Sequence, residues 1–245
     1  MMKRFVFSIF LLPLLLASPQ TKAQGIMLTP KWTAQAQFTG YYVADKLGFY
    51  KEEGIDVCVQ HPAISESSFS FMEKGRAPVV IMNLSYAFME RLAGARVVNV
   101  MQTSQENSLM LISHSPLKGE ESLRNQKIAV WNHLSQKLLD RLAEHYALKQ
   151  VEWIRFNSGV NVFLSGAADP CLVGSYNEYL QLSEYGMNVD SIYSIRLADY
   201  GYNLPEDGLY VTEEFYNQYP EVVRKLVKAS MRGWAWTNEH REEAL

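Results

Sequence analysis

Cysteine is scarce in this 245-residue chain, with only Cys58 and Cys171 present. Two thiols make neither a disulfide framework nor a cysteine-rich metal motif. Both lie in β-like apolar runs, where a buried thiol behaves as a small hydrophobe. Histidine is thin as well. His61, His114, His133, His145 and His240 are scattered, without the paired spacing of zinc ligands. No glycine-rich phosphate loop, G-x-S-x-G elbow or H-E-x-x-H helix occurs. These absences exclude the common hydrolytic and nucleotide-phosphate chemistries and imply no cofactor and no metal. Basic residues do not outnumber acidic ones, 23 against 26, which argues against nucleic acid or an anionic membrane as partner. No apolar run reaches the ~20 residues that span a bilayer.

What is present starts at the N-terminus. Lys3 and Arg4 precede an apolar stretch from Phe5 to Ala17, and the small-x-small pattern Thr21-Lys22-Ala23 leads into Gln24. A positive segment, a short apolar segment and such a site read as a secretory signal over 1–23, cleaved after Ala23. No cysteine near the site offers a lipid anchor. Cleavage removes three basic residues and no acidic one, leaving 20 basic against 26 acidic, a net of −6. The mature chain is expected outside the cytoplasm and not membrane-spanning.

The rest of the chain alternates short apolar strands with helical patterns. Strands are predicted at 26–28, 55–59, 79–82, 97–101, 109–112, 127–131, 151–156 and 171–173. Phe38, Tyr41, Tyr42 and Leu47 share one helical face, and Gly48 stops that helix. Tyr86, Met89 and Leu92 mark another helix, and Leu134 to Tyr146 a third. Pro220 opens a late helix with Val222, Val223, Leu226 and Val227 inward. Strands separated by helices predict an α/β fold with mainly parallel sheets. No repeat or low-complexity linker appears. The late helix still runs at Leu245, so the sequence is expected to be truncated there or to be one module of a longer protein.

Lys31-Trp32-Thr33, Thr39-Gly40-Tyr41-Tyr42-Val43-Ala44 and Leu47-Gly48-Phe49-Tyr50-Lys51-Glu52-Glu53-Gly54-Ile55-Asp56-Val57 together carry a resemblance. They are similar to the opening of the substrate-binding family that serves ABC importers of thiamine pyrimidine precursors. More distant members bind alkanesulfonates, taurine and nitrate, and fungal members synthesise the pyrimidine. Gly119 to Val130, Gly166-Ala167-Ala168-Asp169 with Gly174-Ser175-Tyr176-Asn177-Glu178, and Phe215 to Leu245 extend the likeness over nearly the whole mature chain. The resemblance implies a type II periplasmic-binding-protein fold, two α/β lobes joined by two crossovers with a ligand cleft between them. On that reading 24–112 begins lobe 1, 113–194 forms lobe 2, and 195–245 returns to lobe 1. The crossovers are expected near Ser113 and Ile195. Localisation would be periplasmic, with an ABC transporter permease as partner.

A flat heteroaromatic ligand needs a stacking surface and a few converging polar groups. Trp32, just after the first strand, either stacks on such a ring or packs at the lobe surface, and the resemblance favours the contact. Gln35, Gln37 and Thr39 suit an aminopyrimidine edge or cap the helix that follows. Asn83 and Ser85, with Tyr86, occupy a strand-to-helix turn that either presents free N–H groups or is a plain cap. Asn132, with His133 and Ser135, begins a helix in lobe 2 whose N-terminus suits an anion. Tyr176, Asn177 and Glu178 follow a lobe 2 strand, and a carboxylate there either pairs with a protonated aminopyrimidine or sits on a solvated helix.

The fungal synthases carry a histidine where this chain has Phe38 and a cysteine-rich iron motif that it lacks, so it is not expected to be an enzyme. The expected function is capture of a small-molecule ligand, a thiamine pyrimidine precursor, for import. A sulfonate or other small anion is the alternative on the same fold. A ligand-sensing domain of a membrane receptor is the alternative from another class.

Overall fold

The computed structural model describes residues 25–63, 65–117, 126–131, 140, 143–144, 151–157, 159–201 and 203–244. The expected signal segment and most of the expected helix over 134–146 lie outside them, as do Asn132, His133 and Ser135.

Among the described residues, ten strands form two five-stranded sheets. The first holds β1 (Ile26–Thr29), β2 (Val57–Val59), β3 (Val79–Asn83), β4 (Val97–Gln102) and β10 (Asp207–Thr212) in the order β2-β1-β3-β10-β4. The second holds β5 (Leu109–Ser113), β6 (Lys127–Trp131), β7 (Glu152–Phe156), β8 (Cys171–Gly174) and β9 (Tyr193–Arg196) in the order β7-β6-β8-β5-β9. The helices are α1 (Thr39–Lys46), α2 (Phe49–Glu52), α3 (Ser68–Glu73), α4 (Leu84–Leu92), α5 (Asn161–Leu164), α6 (Glu178–Glu184), α7 (Glu213–Gln218), α8 (Pro220–Glu239) and α9 (Arg241–Ala244).

Two expectations are corrected. The sheets are mixed rather than mainly parallel, because β10 runs antiparallel to β3 and β4, and β5 antiparallel to β8 and β9. Each is the strand by which the chain enters a sheet from the other one, which reverses its direction. The divide also moves. Leu109–Ser113 pairs within the second sheet, as does Tyr193–Arg196, so the chain passes between the sheets over 103–108 and again after Arg196, rather than at Ser113 and Ile195.

Both faces of each sheet are covered. In β3, Val79 to Met82 are all at most 1% exposed, which is why that strand reads as an unbroken apolar run rather than an alternating one. One face of the first sheet packs on α1 and α8, with Leu28, Ile81, Leu209, Val211, Tyr41 and Leu226 in one core. The other face packs with α3 through Phe69, Phe71 and Met72. The face of α4 that carries Met89 and Leu92 is exposed rather than inward, and Ala87 is its buried residue. The second sheet has its own two cores, around Phe163 and Leu182 on one side and Leu172 and Leu197 on the other.

Helix α8 turns Val223, Leu226, Ala229, Ser230 and Gly233 inward at helical spacing. Each fully buried aliphatic contributes about 1.5–3 kcal/mol. Small residues on the facing helices let α1 and α8 come very close. A Cβ placed on Gly233 would lie 2.0 Å from the Gly40 carbonyl oxygen, and one on Gly40 would lie 2.3 Å from Trp234 Cδ2. Only glycine fits at either position, and the contact fixes where Trp234 points.

Candidate functional site

A cleft of about 660 Å3 opens between the two sheets. Its floor is made by the crossovers, with Thr103, Asn107, Ser108, Glu206 and the adjoining Asp207. The first-sheet wall carries Ala36 and Gln37 from the turn before α1, and Met231, Trp234 and Asn238 from α8. The second-sheet wall carries Ser175, Tyr176 and Arg196 from the ends of β8 and β9. A cleft fed by both sheets, at strand ends, is where α/β architectures place small ligands.

Sheet register assembles a charged group beside the floor. Asn83 at the end of β3 lies opposite Asp207 at the start of β10, and the turn after neighbouring β1 brings in Lys31. The Lys31 ammonium donates to Asn83 Oδ1 at 2.6 Å and forms an ion pair with Asp207. Burial raises the Asp207 pKa, and Lys31 opposes that shift. Glu206, next along, accepts from the Ser108 hydroxyl at 2.9 and 3.1 Å. Its pKa too is raised by burial, against the pull of Lys31. Tyr176 from the opposite wall faces Ser108 and these two carboxylates, and burial followed by their charge raises its phenol. Arg196 is the one cation among the described lining residues, and it pairs with Glu106 at 3.0 Å. Counting Lys31, which pairs with Asp207 beside the lining, the carboxylates Glu106, Glu206 and Asp207 face two cations, an excess of one.

Two of the sequence candidates, Gln37 and Tyr176, line this cleft. Trp32 is half-buried against the first core, and its carbonyl accepts from His61 Nδ1, whose Nε2 meets the Tyr42 hydroxyl at 2.7 Å. Gln35 Oε1 accepts from Gln37 Nε2 at 2.8 Å. Thr39 is buried and donates to the Ala36 carbonyl at 2.8 Å. Asn83 is engaged by Lys31, and Ser85 is exposed at the start of α4. Asn177 donates to Glu178 Oε1 at 3.1 Å and accepts from Gln181 at 3.0 Å. Glu178 is 6% exposed and holds the turn after β8 together, accepting also from Trp131 Nε1 at 3.2 Å and the Gly174 amide at 3.0 Å. Asn132 lies outside the described residues.

Lys31, Ser108, Arg196, Glu206, Asp207 and Trp234 escaped the site reading. Lys31 and Trp234 stand inside the resembling segments, where nothing in the sequence sets them apart from pattern or helix residues. Pro205-Glu206-Asp207-Gly208 reads as an ordinary turn, and only the return of the chain between the sheets puts it on the cleft floor. No cysteine or histidine lines the cleft among the described residues, and no group of three or more potential metal-ligating side chains occurs among them.

Two mixed α/β units around a cleft, joined by two crossovers, define the periplasmic-binding-protein fold. The periplasmic aliphatic sulphonate binding protein SsuA from Escherichia coli shares it, with a TM-score of 0.71 at 14% identity over 90% of this chain and 76% of that one. The chain belongs to the NMT1/THI5 like family, whose model matches residues 35–244. It is 29% identical to the riboflavin-binding protein RibY of Chloroflexus aurantiacus, over 92% of this chain and 66% of that protein. It is 24% identical to the formylaminopyrimidine-binding protein of Halalkalibacterium halodurans, over 100% of this chain and 78% of that protein. The chain thus spans about two thirds to four fifths of the length of these two relatives.

Proposed function

We propose that this chain is an extracytoplasmic solute-binding protein that captures a small heteroaromatic ligand, a thiamine pyrimidine precursor, and delivers it to an ABC transporter permease. The observation that carries the reading is the two-walled cleft and its small excess of carboxylates. A floor on which carboxylates exceed cations by one, with Arg196 and Lys31 both paired, disfavours a sulfonate or nitrate relative to a neutral or protonated ring bearing N–H donors. Trp234 and Tyr176 supply aromatic surface on opposite walls. Two α/β lobes linked by short crossovers suit hinge closure on such a ligand. Residues 1–23 direct export, and no helix among the described residues is long and apolar enough to cross a membrane.

The test is thermal unfolding of the chain, after removal of residues 1–23, with aminopyrimidines, thiamine, riboflavin, taurine, alkanesulfonates and nitrate. A ligand at about 100 times its dissociation constant stabilises by about 2.7 kcal/mol. At roughly 2–4 °C per kcal/mol for a chain of this size, the expected rise in Tm is about 5–11 °C with a heteroaromatic compound. A rise with sulfonate or nitrate alone would overturn the reading.

A further inference from the structure

The chain passes twice between the sheets, and hydrogen bonds show which part of each passage belongs to which side. The Asp207 carbonyl accepts from the Thr103 and Ser104 amides at 3.0 Å each, from the Thr103 hydroxyl at 2.7 Å and from the Gln102 side-chain amide at 3.0 Å. The Glu206 carbonyl accepts from the Leu84 amide, at the start of α4, at 2.9 Å. Residues 102–104 and the backbone of 206–207 are thus stapled to the first sheet. On the other side, the Ser108 carbonyl accepts from the Ser175 amide just after β8 at 2.9 Å. Asn107 Oδ1 accepts from the Leu109 amide of β5 at 3.1 Å, and the Asn107 amide donates to Asn203 Oδ1 at 3.0 Å. These bonds fix 107–108 and Asn203 to the second sheet. Between the two sets lie Gln105, Glu106, Leu204 and Pro205, and none of the four makes a backbone–backbone hydrogen bond among the described residues. Such unbraced backbone is where a two-lobed chain turns.

One side-chain hydrogen bond among the described residues spans these pivots. Glu206 has its backbone on the first-sheet side, yet its carboxylate accepts from the hydroxyl of Ser108, on the second-sheet side, at 2.9 and 3.1 Å. The Arg196–Glu106 pair is a poor alternative tie. It ends on a pivot residue, and its side chains are 49% and 62% exposed, where ion pairs restrain little. The Ser108–Glu206 bond is partly buried on the cleft floor, and a hydroxyl donating to a carboxylate is among the stronger side-chain bonds. We infer that Ser108 and Glu206 form an interlobe clasp, a pair of positioning residues that holds the two walls of the cleft at one angle before any ligand arrives. Tyr176 on the second wall, which faces both members, is thereby set against the carboxylates of the first. A wall angle fixed in advance lowers what ordering costs on binding. The clasp goes beyond the heteroaromatic-ligand reading and does not depend on which ligand the cleft takes.

The test needs no ligand. Cys58 is exposed on the edge strand β2, Tyr185 is 61% exposed at the end of α6, and Cys171 is buried. Spin labels on Cys58 and on the thiol introduced by Tyr185→Cys therefore report the distance between the lobes by pulsed dipolar spectroscopy. The clasped chain is expected to give one narrow distance distribution. Ser108→Ala removes the donor and Glu206→Leu removes the acceptor. Each is expected to shift or broaden the distribution by more than about 2 Å, the scale of a domain rearrangement, and the double substitution to go no further than the larger single effect. Thr103→Val removes a hydroxyl bond to Asp207 that lies wholly within the first-sheet staple, and is expected to leave the distances unchanged. Far-UV circular dichroism checks that each variant is folded before its distances are read. A broad distribution in the unsubstituted pair, distances unmoved by both Ser108→Ala and Glu206→Leu, or an equal change with Thr103→Val overturns the clasp. Each of those results leaves the heteroaromatic-ligand reading standing.

Discussion

Gly233→Ala is the sharpest probe of how the cleft wall is built. The new methyl would sit 2.0 Å from the Gly40 carbonyl oxygen, 2.9 Å from Ala44 Cβ and 3.0 Å from the Ala44 nitrogen. Carbon–oxygen contacts are comfortable at about 3.3–3.6 Å, so α1 and α8 must separate by more than 1 Å along a seam that also carries Ala229 and Ser230. Alanine for glycine within a helix gains about 1 kcal/mol of propensity. Overpacking costs typically 1–3 kcal/mol, and a clash with backbone that cannot rotate away belongs at the upper end. The net expectation is a loss of about 2 kcal/mol, or roughly 4–8 °C in Tm. Circular dichroism melts and urea unfolding with an unchanged m-value measure it. A Gly233→Ala protein that melts at or above the wild type would show that the two helices are not held at this distance, and the positioning of Trp234 would then need another cause.

Three further outcomes are expected. Lys31→Met leaves the Asp207 carboxylate buried and uncompensated, and is expected to cost about 3 kcal/mol in urea unfolding; an unchanged midpoint would mean that the pair contributes nothing. Glu206→Gln tests the floor through pH. Burial raises the folded-state pKa of Glu206, so the folded chain holds that proton to higher pH than the unfolded chain, and stability falls as pH rises from the ordinary carboxylate pKa through the folded one. The glutamine variant should therefore melt higher than the wild type near pH 7 and show a flatter pH profile, and identical profiles would refute it. Cys58 is exposed, while Cys171 is buried with its thiol pushed up to about 12. A thiol-specific reagent near pH 8 is thus expected to label one site in the native chain and two after denaturation; fast labelling of both would contradict the burial of β8.

Much of the architecture was legible in the residues, because strands as short as Lys127–Trp131 announce themselves by β-branched runs and helices by glycine and proline punctuation. Sheet direction and the place of the crossovers were not. Nothing local distinguishes Leu109–Ser113 as the last strand of one sheet from the first of another, since both faces are buried either way. The site was half legible for a related reason. Gln37 and Tyr176 stand in turns beside strand or helix ends, where ligand residues are sought. Glu178 had the right chemistry at such an end, but its oxygens hold the Trp131 indole and the Gly174 amide. Trp234 sits in the last third of a twenty-residue helix, and no periodicity says that helix α8 reaches the cleft. That follows only from the glycine seam against α1.

The position of β10 bears on how the molecule comes to exist. All five strands of the second sheet lie in one uninterrupted stretch, from Leu109 to Arg196, so that sheet can assemble from contiguous chain. The first sheet cannot. Among the described residues strand β4 pairs with β10 alone, and β10 sits between β3 and β4. The Gln102 amide that donates to the Asp207 carbonyl reaches across 105 residues of sequence to do so. Closing so long a loop is entropically slow to initiate. Until β10 arrives, β3 and β4 present open edges to any neighbouring strand. The ladders of β10, of the longest sequence separation among the described residues, thus adjoin the Glu206–Asp207 floor of the cleft, so the cleft floor depends on contacts that the chain can make only once β10 is present.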